Sequence, residues 1–342
     1  MDPFARRRLG RTDLELPRLG LGGAALGNIF EVVPEPQVDA MMAAAWDEGI
    51  RFYDTSPWYG RGLSEQRMGR NLYSRPRDEV ILSTKVGRLF SAPSDVAAFE
   101  RSARAWENGL RFEHRHDYTY DGIMRAYEDS LLRLGMPRVD ILVIHDLDLN
   151  NLGSEELIDH HMAELAGGGM KALAELKAAG LIKAVGAGVN QMGTIPRYLA
   201  QFDLDFFLVA LPYTLAEQPV LDTEFPMCED RGVGVIIGGV FASGILATGP
   251  RPGARYNYAI ATDAQLERVG RMQAICERHG VPLAAAALQF TLHHPIVTSV
   301  IPGGLHPDHV RQNVETMRYE IPKDLWAELK SEGLLRSDAP TP

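Results

Sequence analysis

The sequence has 342 residues, of which 45% are hydrophobic and 23% are charged. These values are typical of a soluble globular protein, and no apolar run is long enough to span a bilayer, so we expect no membrane partner. The net charge of −10 argues against a nucleic-acid-binding protein, which needs a basic surface to displace phosphate counterions. Cys228 and Cys276 are the only cysteines, so no disulfide framework is predicted. Arg6-Arg7-Arg8 is not followed by the apolar stretch of a signal peptide, and we therefore expect a reducing, cytoplasmic location.

Short β-branched runs alternate with amphipathic segments along the whole chain. The first element, Arg7–Leu19 with its turn at Gly10–Asp13, is predicted to be a β-hairpin. Strands are then predicted at Gly20–Gly23, Arg51–Asp54, Val80–Thr84, Ile141–His145, Lys183–Gly188, Phe206–Ala210, Val233–Ile237 and Ser299–Pro302. Helices are predicted at Val38–Glu48, Glu65–Arg70, Ile123–Leu134, Met170–Ala178, Ile195–Gln201, Val220–Asp230, Ala264–His279, Pro282–His293, His309–Thr316 and Pro322–Glu332.

This alternation of strands and helices predicts an α/β fold with a parallel sheet. Helices of this length between strands require crossover connections, and near-continuous apolar strands are buried on both faces. Eight such units favour a (β/α)8 TIM barrel over an open sheet, as a single domain over residues 1–342 with an N-terminal β-hairpin cap and additional helices. Two long interruptions, Gly87–Thr119 and Gly238–Thr262, follow strands, so they belong to the C-terminal face, where barrel active sites form.

Four polar residues lie at the ends of consecutive strands, where barrel strands converge. Asp54 ends the second strand and Tyr59 follows it, Lys85 ends the third strand, and His145 ends the fourth. A free phenol has a pKa of about 10, so we expect Lys85 to lower the pKa of Tyr59 and let it exchange a proton near neutrality. Asp54 would hold Lys85, and His145 would orient the reacting oxygen. Each residue alone has an ordinary structural explanation; their joint placement favours a catalytic site.

Two rival interpretations fit the sequence less well. Gly20–Ala25 resembles a dinucleotide-binding fingerprint, but that motif must open a helix directly, and here Pro34 and Pro36 delay the helix. Three pairs of adjacent residues could supply metal ligands: His145-Asp146, His160-His161 and His293-His294. None has the spacing that directs two ligands at one ion, so no metal site is predicted.

Several of these stretches resemble the aldo-keto reductase superfamily, and the resemblance covers nearly the whole chain. The matching segments are Asp54–Gly60, Thr84-Lys85, Asp140 to His145, and Ile301-Pro302-Gly303. The resemblance implies that Asp54, Tyr59, Lys85 and His145 form a catalytic tetrad. Other stretches are similar to a narrower branch of NAD(P)-dependent aldose 1-dehydrogenases acting on L-fucose, D-arabinose and L-galactose, with pyridoxal 4-dehydrogenase-like members. They are Asp117–Gly122, Ile144–Asp148, Gly186–Gln191, Tyr213–Leu215 and Gly238–Leu246.

The resemblance also implies a nicotinamide cofactor site. It would comprise Gly22, Asn190, Gly239, Val240, Ser243, Gly303, Gly304, His309, Gln312 and Asn313. The chain departs from the superfamily pattern, since Val189 replaces a serine beside Asn190, Ala210 replaces a glutamine, and Gly238 replaces a ring-stacking tyrosine. The lysine and arginine that bind a 2′-phosphate in the family align with Gly303 and His309, so NAD is preferred to NADP, although Arg311 could still hold the second phosphate.

The function implied is oxidation of a cyclic aldose at C1 to the lactone, with hydride transfer to NAD; the expected partner is a small-molecule sugar or pyridoxal-like substrate. Tyr59, as phenolate, would accept the proton of the anomeric hydroxyl. The predicted walls of the sugar pocket are Trp58, Phe90, Tyr118 and Tyr120. Three alternatives stay open: a pyridoxal 4-dehydrogenase forming 4-pyridoxolactone, an NADPH-dependent aldehyde or ketone reductase, and a non-catalytic cofactor-sensing subunit. The oligomeric state is not predicted.

Overall fold

The computed structural model of the protein describes residues 1–101 and 106–342. Its strands are β1 (Arg6–Arg8), β2 (Glu15–Pro17), β3 (Leu21–Gly22), β4 (Phe52–Asp54), β5 (Ile81–Val86), β6 (Arg88–Ser91), β7 (Glu113–His116), β8 (Ile141–Ile144), β9 (Ala184–Val189), β10 (Phe206–Val209), β11 (Gly234–Ile237), β12 (Arg255–Tyr256), β13 (Ala259–Ile260) and β14 (Val297–Val300).

Eight of these strands form one parallel sheet that closes on itself. Their order is β3, β4, β5, β8, β9, β10, β11 and β14. Backbone bridges from Leu19 to Val300 and from Gly22 to Gly303 join the first strand to the last. The predicted (β/α)8 barrel is therefore confirmed. The last strand begins at Val297, two residues before the predicted Ser299. It ends at Val300, short of the predicted Pro302, because proline has no N–H to donate to a ladder.

The N-terminal hairpin closes the amino end of the barrel. Strands β1 and β2 pair antiparallel, as predicted. Leu9, Leu14 and Leu16 pack in one buried cluster with inward-facing residues of the barrel strands, among them Phe52 and Phe206. Because this end is filled by side chains, substrates can approach only from the opposite, carboxyl end of the strands.

The helices surround the sheet and bury their apolar faces against it. They are α1 (Glu35–Asp47), α2 (Leu63–Leu72), α3 (Val96–Arg101), α4 (Tyr120–Leu134), α5 (Leu149–Leu152), α6 (Glu155–Glu164), α7 (Met170–Ala178), α8 (Thr194–Leu199), α9 (Glu224–Arg231), α10 (Ile245–Thr248), α11 (Asp263–Arg278), α12 (Leu283–Thr291), α13 (Pro307–Arg318) and α14 (Lys323–Ser331). Within residues 1–101 and 106–342, no helix is both long enough and apolar enough to cross a bilayer.

Two helical segments differ from the sequence prediction. The predicted helix Val220–Asp230 is interrupted, since a 3₁₀ turn at Pro219–Leu221 precedes α9. A continuous helix would need Pro226 to donate an N–H to the preceding turn, and proline has none. The connection after β8 also contains α5, α6 and a π-helical turn at Leu165–Gly169, which leads into α7.

Each of the two long insertions contains a β-hairpin at the carboxyl end of the barrel, and residues 102–105 of the first insertion lie outside the described residues. Strands β6 and β7 pair antiparallel directly after β5, and β12 and β13 pair antiparallel after β11. The sequence predicted their location on this face. The hairpins bring residues from distant parts of the chain to the strand ends described below.

Candidate active site

Asp54 and Lys85 form a buried ion pair at the ends of the neighbouring strands β4 and β5. The Lys85 Nζ donates to Asp54 Oδ2 at 2.7 Å and to the backbone oxygen of Thr55 at 2.8 Å. Both side chains are almost fully buried. A single charge at this depth would be costly, so each charged group depends on the other. The second carboxylate oxygen, Asp54 Oδ1, is buried and has no hydrogen-bond partner among the described residues.

Tyr59 lies beside this ion pair, on the turn that follows β4. The Lys85 Nζ is 4.8 Å from the centre of the Tyr59 ring, and the His145 ring centre is 6.0 Å away. Burial of the hydroxyl, followed by the carboxylates of Asp54 and Asp146, raises the pKa of Tyr59 well above its ordinary value. The expected net lowering of this pKa is therefore wrong, because burial and the carboxylates of Asp54 and Asp146 outweigh the opposing charge of Arg88.

His145 is held as a neutral imidazole with its proton on Nε2. The Ser56 Oγ accepts the backbone N–H of Trp58 at 3.1 Å, so its own proton can be donated to His145 Nδ1 at 3.2 Å. The other nitrogen, Nε2, lies 3.4 Å from Asp146 Oδ2, which can only accept. Burial, aided by Arg88, Lys85 and His116, lowers the pKa of His145 well below its ordinary value. A neutral Nε2–H can donate to a substrate oxygen.

The sequence analysis missed two buried charged residues, Arg88 and Asp146, next to His145. The Arg88 Nη1 donates to Asp146 Oδ2 at 2.8 Å, and the guanidinium centre lies 4.5 Å from the Trp58 ring centre. Asp146 has a φ of 48°, in the left-handed region that non-glycine residues avoid. The sequence signal was present, since Asp146 directly follows His145, but its arginine partner comes from another strand.

Asn190 is oriented by two carboxylates. Its Nδ2 donates to Asp146 Oδ1 at 3.0 Å and to Asp148 Oδ2 at 3.3 Å. With the amide protons used in this way, the side-chain oxygen remains as an acceptor. Asn190 therefore suits a ligand that presents an N–H donor, such as the carboxamide of a nicotinamide.

The remaining residues of the predicted cofactor site lie along one side of the barrel mouth, on the loops after β3, β11 and β14. Gly239 and Ser243 have φ values of 57° and 63°, so the loop turns sharply, and the Ser243 Oγ accepts the backbone N–H of Tyr258 at 2.8 Å. Val240 is buried and can offer only its backbone. Gly22 and Gly303 form the bridge that closes the barrel.

Helix α13 begins at Pro307, three residues after Gly304. No side chain caps its first turn, but Pro307 has no N–H and the His309 N–H donates to the His306 backbone oxygen at 3.1 Å, so few of the leading N–H groups are available to an anion such as a pyrophosphate. His309 accepts the backbone N–H of Leu305, and burial lowers its pKa. The Arg311 guanidinium is 2.8 Å from Asp308. Gln312 is exposed and Asn313 is buried in the same helix. These donors fit a dinucleotide, yet the positive charge nearby is weak.

Aromatic side chains form one wall beside Tyr59. Trp58 packs against His114, with ring centres 4.6 Å apart, and His114 lies 6.1 Å from Phe90. Trp106 contacts the Tyr59 ring at 5.6 Å. His114 was missed by the sequence analysis, and burial lowers its pKa to about 4, so it is neutral. Trp58 and Phe90 are partly exposed, in keeping with their predicted role as walls.

Tyr118 and Tyr120 do not form part of this wall, which corrects the prediction. Tyr118 is fully buried behind His145, and its hydroxyl donates to the His145 backbone oxygen at 2.6 Å. Tyr120 begins α4, and its hydroxyl donates to Glu175 on α7 at 2.6 Å. Both therefore support the barrel and not the cleft. The run of polar and aromatic residues from 117 to 122 did not show which side chains turn inward.

Tyr258 takes a place over the site that the sequence did not reveal. It lies in the two-residue turn between β12 and β13 and is 48% exposed. Burial of its hydroxyl raises its pKa, the charge of Asp146 raises it further, and Lys85 lowers it. The hydroxyl is therefore close enough to Asp146 and Lys85 to interact with both electrostatically.

One group of side chains in the described part of the chain has the spacing of a metal site. The ligand atoms of His160, His161 and Glu164, all in α6, lie within 4.8 Å of one another. The Glu164 Oε2 is 2.8 Å from His161 Nδ1 and accepts the backbone N–H of Tyr118 at 3.1 Å. These hydrogen bonds satisfy the group without an ion. That the reaction needs no metal stays a prediction.

Comparison with known proteins places this geometry in context. A model of the aldo/keto reductase family matches residues 18–332. The chain is 42% identical to pyridoxal 4-dehydrogenase of Microbacterium luteolum, over 96% of this chain and 98% of that one. It is 38% identical to D-threo-aldose 1-dehydrogenase of a Pseudomonas species, over 96% of both chains. A solved aldo-keto reductase of Bacillus halodurans in its holo form has a TM-score of 0.74 and 25% identity, over 98% of both chains.

Proposed function

The chain belongs to the aldo/keto reductase family, and from that premise we propose that it is a nicotinamide-dependent dehydrogenase of cyclic hemiacetals. The favoured substrate is an aldose of the L-fucose, D-arabinose or L-galactose type, oxidised at C1 to the lactone. The relative named D-threo-aldose 1-dehydrogenase supports this substrate class.

One observation carries the proposal: Tyr59 lies between the Lys85–Asp54 ion pair and a neutral histidine that can donate from Nε2. Lys85 uses two of its three N–H donors on Asp54 and Thr55, and among the described residues no partner takes the third. That donor can stabilise the Tyr59 oxygen when it is ionised. The site therefore holds a proton acceptor and a hydrogen-bond donor for a single substrate oxygen.

The residues divide the reaction between them. Tyr59 takes the proton from the anomeric hydroxyl, while the His145 Nε2–H donates to the same oxygen and fixes its position. Asn190 offers its amide oxygen to the carboxamide of the cofactor. A bound nicotinamide supplies the hydride acceptor, so one hydride and one proton leave the hemiacetal carbon and its hydroxyl, and a lactone remains.

NAD is the proposed cofactor. A 2′-phosphate would need nearby positive charge. Gly303 offers none, His309 has a lowered pKa and is neutral, and the Arg311 charge is already balanced by Asp308.

A pyridoxal substrate is the second candidate. The 42% identical relative is a pyridoxal 4-dehydrogenase, and pyridoxal forms an internal hemiacetal with a similar carbinol. The wall of Trp58, His114 and Phe90 could stack against a pyridine ring as well as against the apolar face of a sugar.

The experiment that tests the proposal is a panel of L-fucose, D-arabinose, L-galactose and pyridoxal, each assayed with NAD and with NADP. We expect NADH formation with at least one aldose and much weaker turnover with NADP. Turnover of pyridoxal alone would select the second candidate. Absence of turnover with every substrate and both cofactors would contradict the proposed function.

A further inference from the structure

Arg88 is the centre of a hydrogen-bonded network behind the tetrad. It is 4% exposed, and all three of its nitrogens donate. Besides the bond to Asp146, its Nε donates to His116 Nε2 at 3.2 Å and its Nη2 to Asn151 Oδ1 at 3.2 Å. Strand β6, the loop after β8 and helix α5 are tied together through this one guanidinium.

Asp146 links that network to two residues of the site. Its Oδ2 accepts from Arg88 at 2.8 Å and lies 3.4 Å from His145 Nε2. Its Oδ1 accepts from Asn190 at 3.0 Å. The residue keeps this position despite a strained φ of 48°, and such strain persists only where the surroundings hold the backbone in place.

We propose that Arg88 and Asp146 are positioning residues that act as a charge-balanced pair, setting the proton on His145 Nε2 and turning the amide oxygen of Asn190 toward the cofactor. This inference rests on the proposed function, because it concerns the same site. Neither side chain needs to touch the substrate.

The charge balance follows from the groups around His145. If the Asp146 carboxylate, 3.4 Å from His145 Nε2, were unopposed, it would favour the protonated imidazolium form of His145. An imidazolium has no free acceptor nitrogen, and the carboxylate would make it resist losing a proton. Burial is the largest cause that lowers the pKa of His145; Arg88 adds to it by opposing the Asp146 charge, and Lys85 of β5 and His116 of β7 act in the same direction. Two further neighbours, Ser56 at Nδ1 and the Tyr59 ring, carry no formal charge while Tyr59 is protonated.

The direct test follows the protonation of His145 by ¹⁵N NMR of histidine-labelled protein, with the signal assigned by its loss in a His145→Gln variant. We expect the wild type to show a neutral Nε2–H ring throughout pH 6–8. In Arg88→Met the ring should titrate within this range, because Asp146 is uncompensated. Arg88→Lys, which keeps the charge, and the double variant Arg88→Met/Asp146→Asn, which removes both charges, should each restore the neutral ring.

Kinetics supply the second readout. Asp146→Asn leaves one side-chain acceptor for two donors, Arg88 and Asn190, so the hold on Asn190 should weaken and the KM for the cofactor should rise about tenfold while kcat changes much less. Arg115→Met is the matched control: Arg115 lies on the partner strand β7, its side chain is 61% exposed, and its loss should change neither readout.

These measurements separate the inference from the proposed function. A His145 ring that stays neutral in folded Arg88→Met, or an unchanged cofactor KM in Asp146→Asn, would overturn it. If Arg88→Met does not fold, the double variant and Asp146→Asn carry the test. The NMR titration needs no turnover, so it decides the inference even if every substrate in the panel fails.

Discussion

At the scale of single residues, the proposed reaction depends on how Tyr59 exchanges its proton. Burial and the nearby carboxylates hold it as the neutral phenol. A neutral phenol is ready to donate to a carbonyl, whereas oxidation of a hydroxyl needs the ionised form. The site therefore treats the two directions of the reaction differently as pH changes.

This leads to a pH prediction for oxidation. Because the pKa of Tyr59 is raised, the ionised fraction is small and grows about tenfold per pH unit below that pKa, so kcat/KM for lactone formation should climb from pH 6 to pH 10. Initial rates of NADH formation check it. Tyr59→Phe should lower kcat/KM about 10²–10⁴-fold and should also abolish its rise with pH. Tyr73→Phe, an exposed tyrosine at the end of α2, is the control. A flat profile would contradict the assignment.

The sequence predicted the tetrad residues but not their electrostatics. Strand ends in a parallel barrel converge, so the order of Asp54, Lys85 and His145 was enough to bring them together. The sign of the pKa shift at Tyr59 depends on how deeply its hydroxyl is buried and on where Asp146 lies in the fold. Spacing along the chain reveals neither. Arg88 was missed for the same reason, since its partner lies 58 residues away.

At the scale of elements, the hairpin of β12 and β13 is the part of the barrel mouth that we expect to contact the proposed substrate. Asn257 and Tyr258 occupy its turn with φ values of 49° and 70°, the mirror-image turn type that suits the twist of a two-residue hairpin. A tyrosine is strained in this backbone conformation, whereas a glycine would not be. The Arg255 guanidinium lies 4.7 Å from the Phe30 ring centre, so the hairpin crosses the mouth toward the loop after β3.

We predict that Tyr258 contributes to substrate binding and not to the chemical step. Tyr258→Ala should raise the KM for the sugar about tenfold, equivalent to about 1.4 kcal/mol of lost contact, with kcat nearly unchanged. Tyr258→Phe separates the ring from the hydroxyl, since it keeps the stacking surface. Steady-state kinetics on the best substrate of the panel measure both. An unaltered KM in the alanine variant would show that the hairpin does not touch the substrate.

The sequence predicted where these insertions lie but not that they form hairpins. Strand β7 reads Glu-His-Arg-His and has no apolar residue to alternate with the polar ones. Strands β12 and β13 have two residues each, too short for any periodicity to be visible. Their conformation depends on pairing and on contacts such as the Tyr256 hydroxyl with Glu217 at 2.6 Å.

At the scale of the whole molecule, the proposed cofactor preference depends on the region where the first and last strands meet. Gly303 is exposed, and a Cβ added there would come no closer than 3.7 Å to other atoms, so the backbone leaves room for a lysine to begin. The double variant Gly303→Lys/His309→Arg should therefore raise kcat/KM with NADP at least about tenfold, by adding charge for a 2′-phosphate. The value with NAD, measured in parallel, should change little. If kcat/KM with NADP does not rise in this variant, the 2′-phosphate binds elsewhere in the protein.

The hairpin at the amino end should stabilise the entire barrel. Leu16 is fully buried in the cluster that fills this end, so Leu16→Ala should lower the free energy of unfolding by about 2–5 kcal/mol. Urea denaturation followed by circular dichroism measures it, with Leu132→Ala, an 81% exposed position, as the control. The predicted single domain requires one cooperative transition in both variants; two separate transitions would contradict it.

The contacts of this hairpin also determine when the protein can fold during its synthesis. The Arg7 guanidinium donates to the backbone oxygens of Leu292 and Val297, and the Thr298 hydroxyl donates to the Arg8 oxygen, across 285 to 290 residues of chain. At ribosomal speeds of 5–20 residues per second, the hairpin waits about 15–60 s for these partners. Throughout that interval the edge of β3 that later meets the last strand has no neighbour, and an unpaired edge of this kind is open to pairing with another molecule.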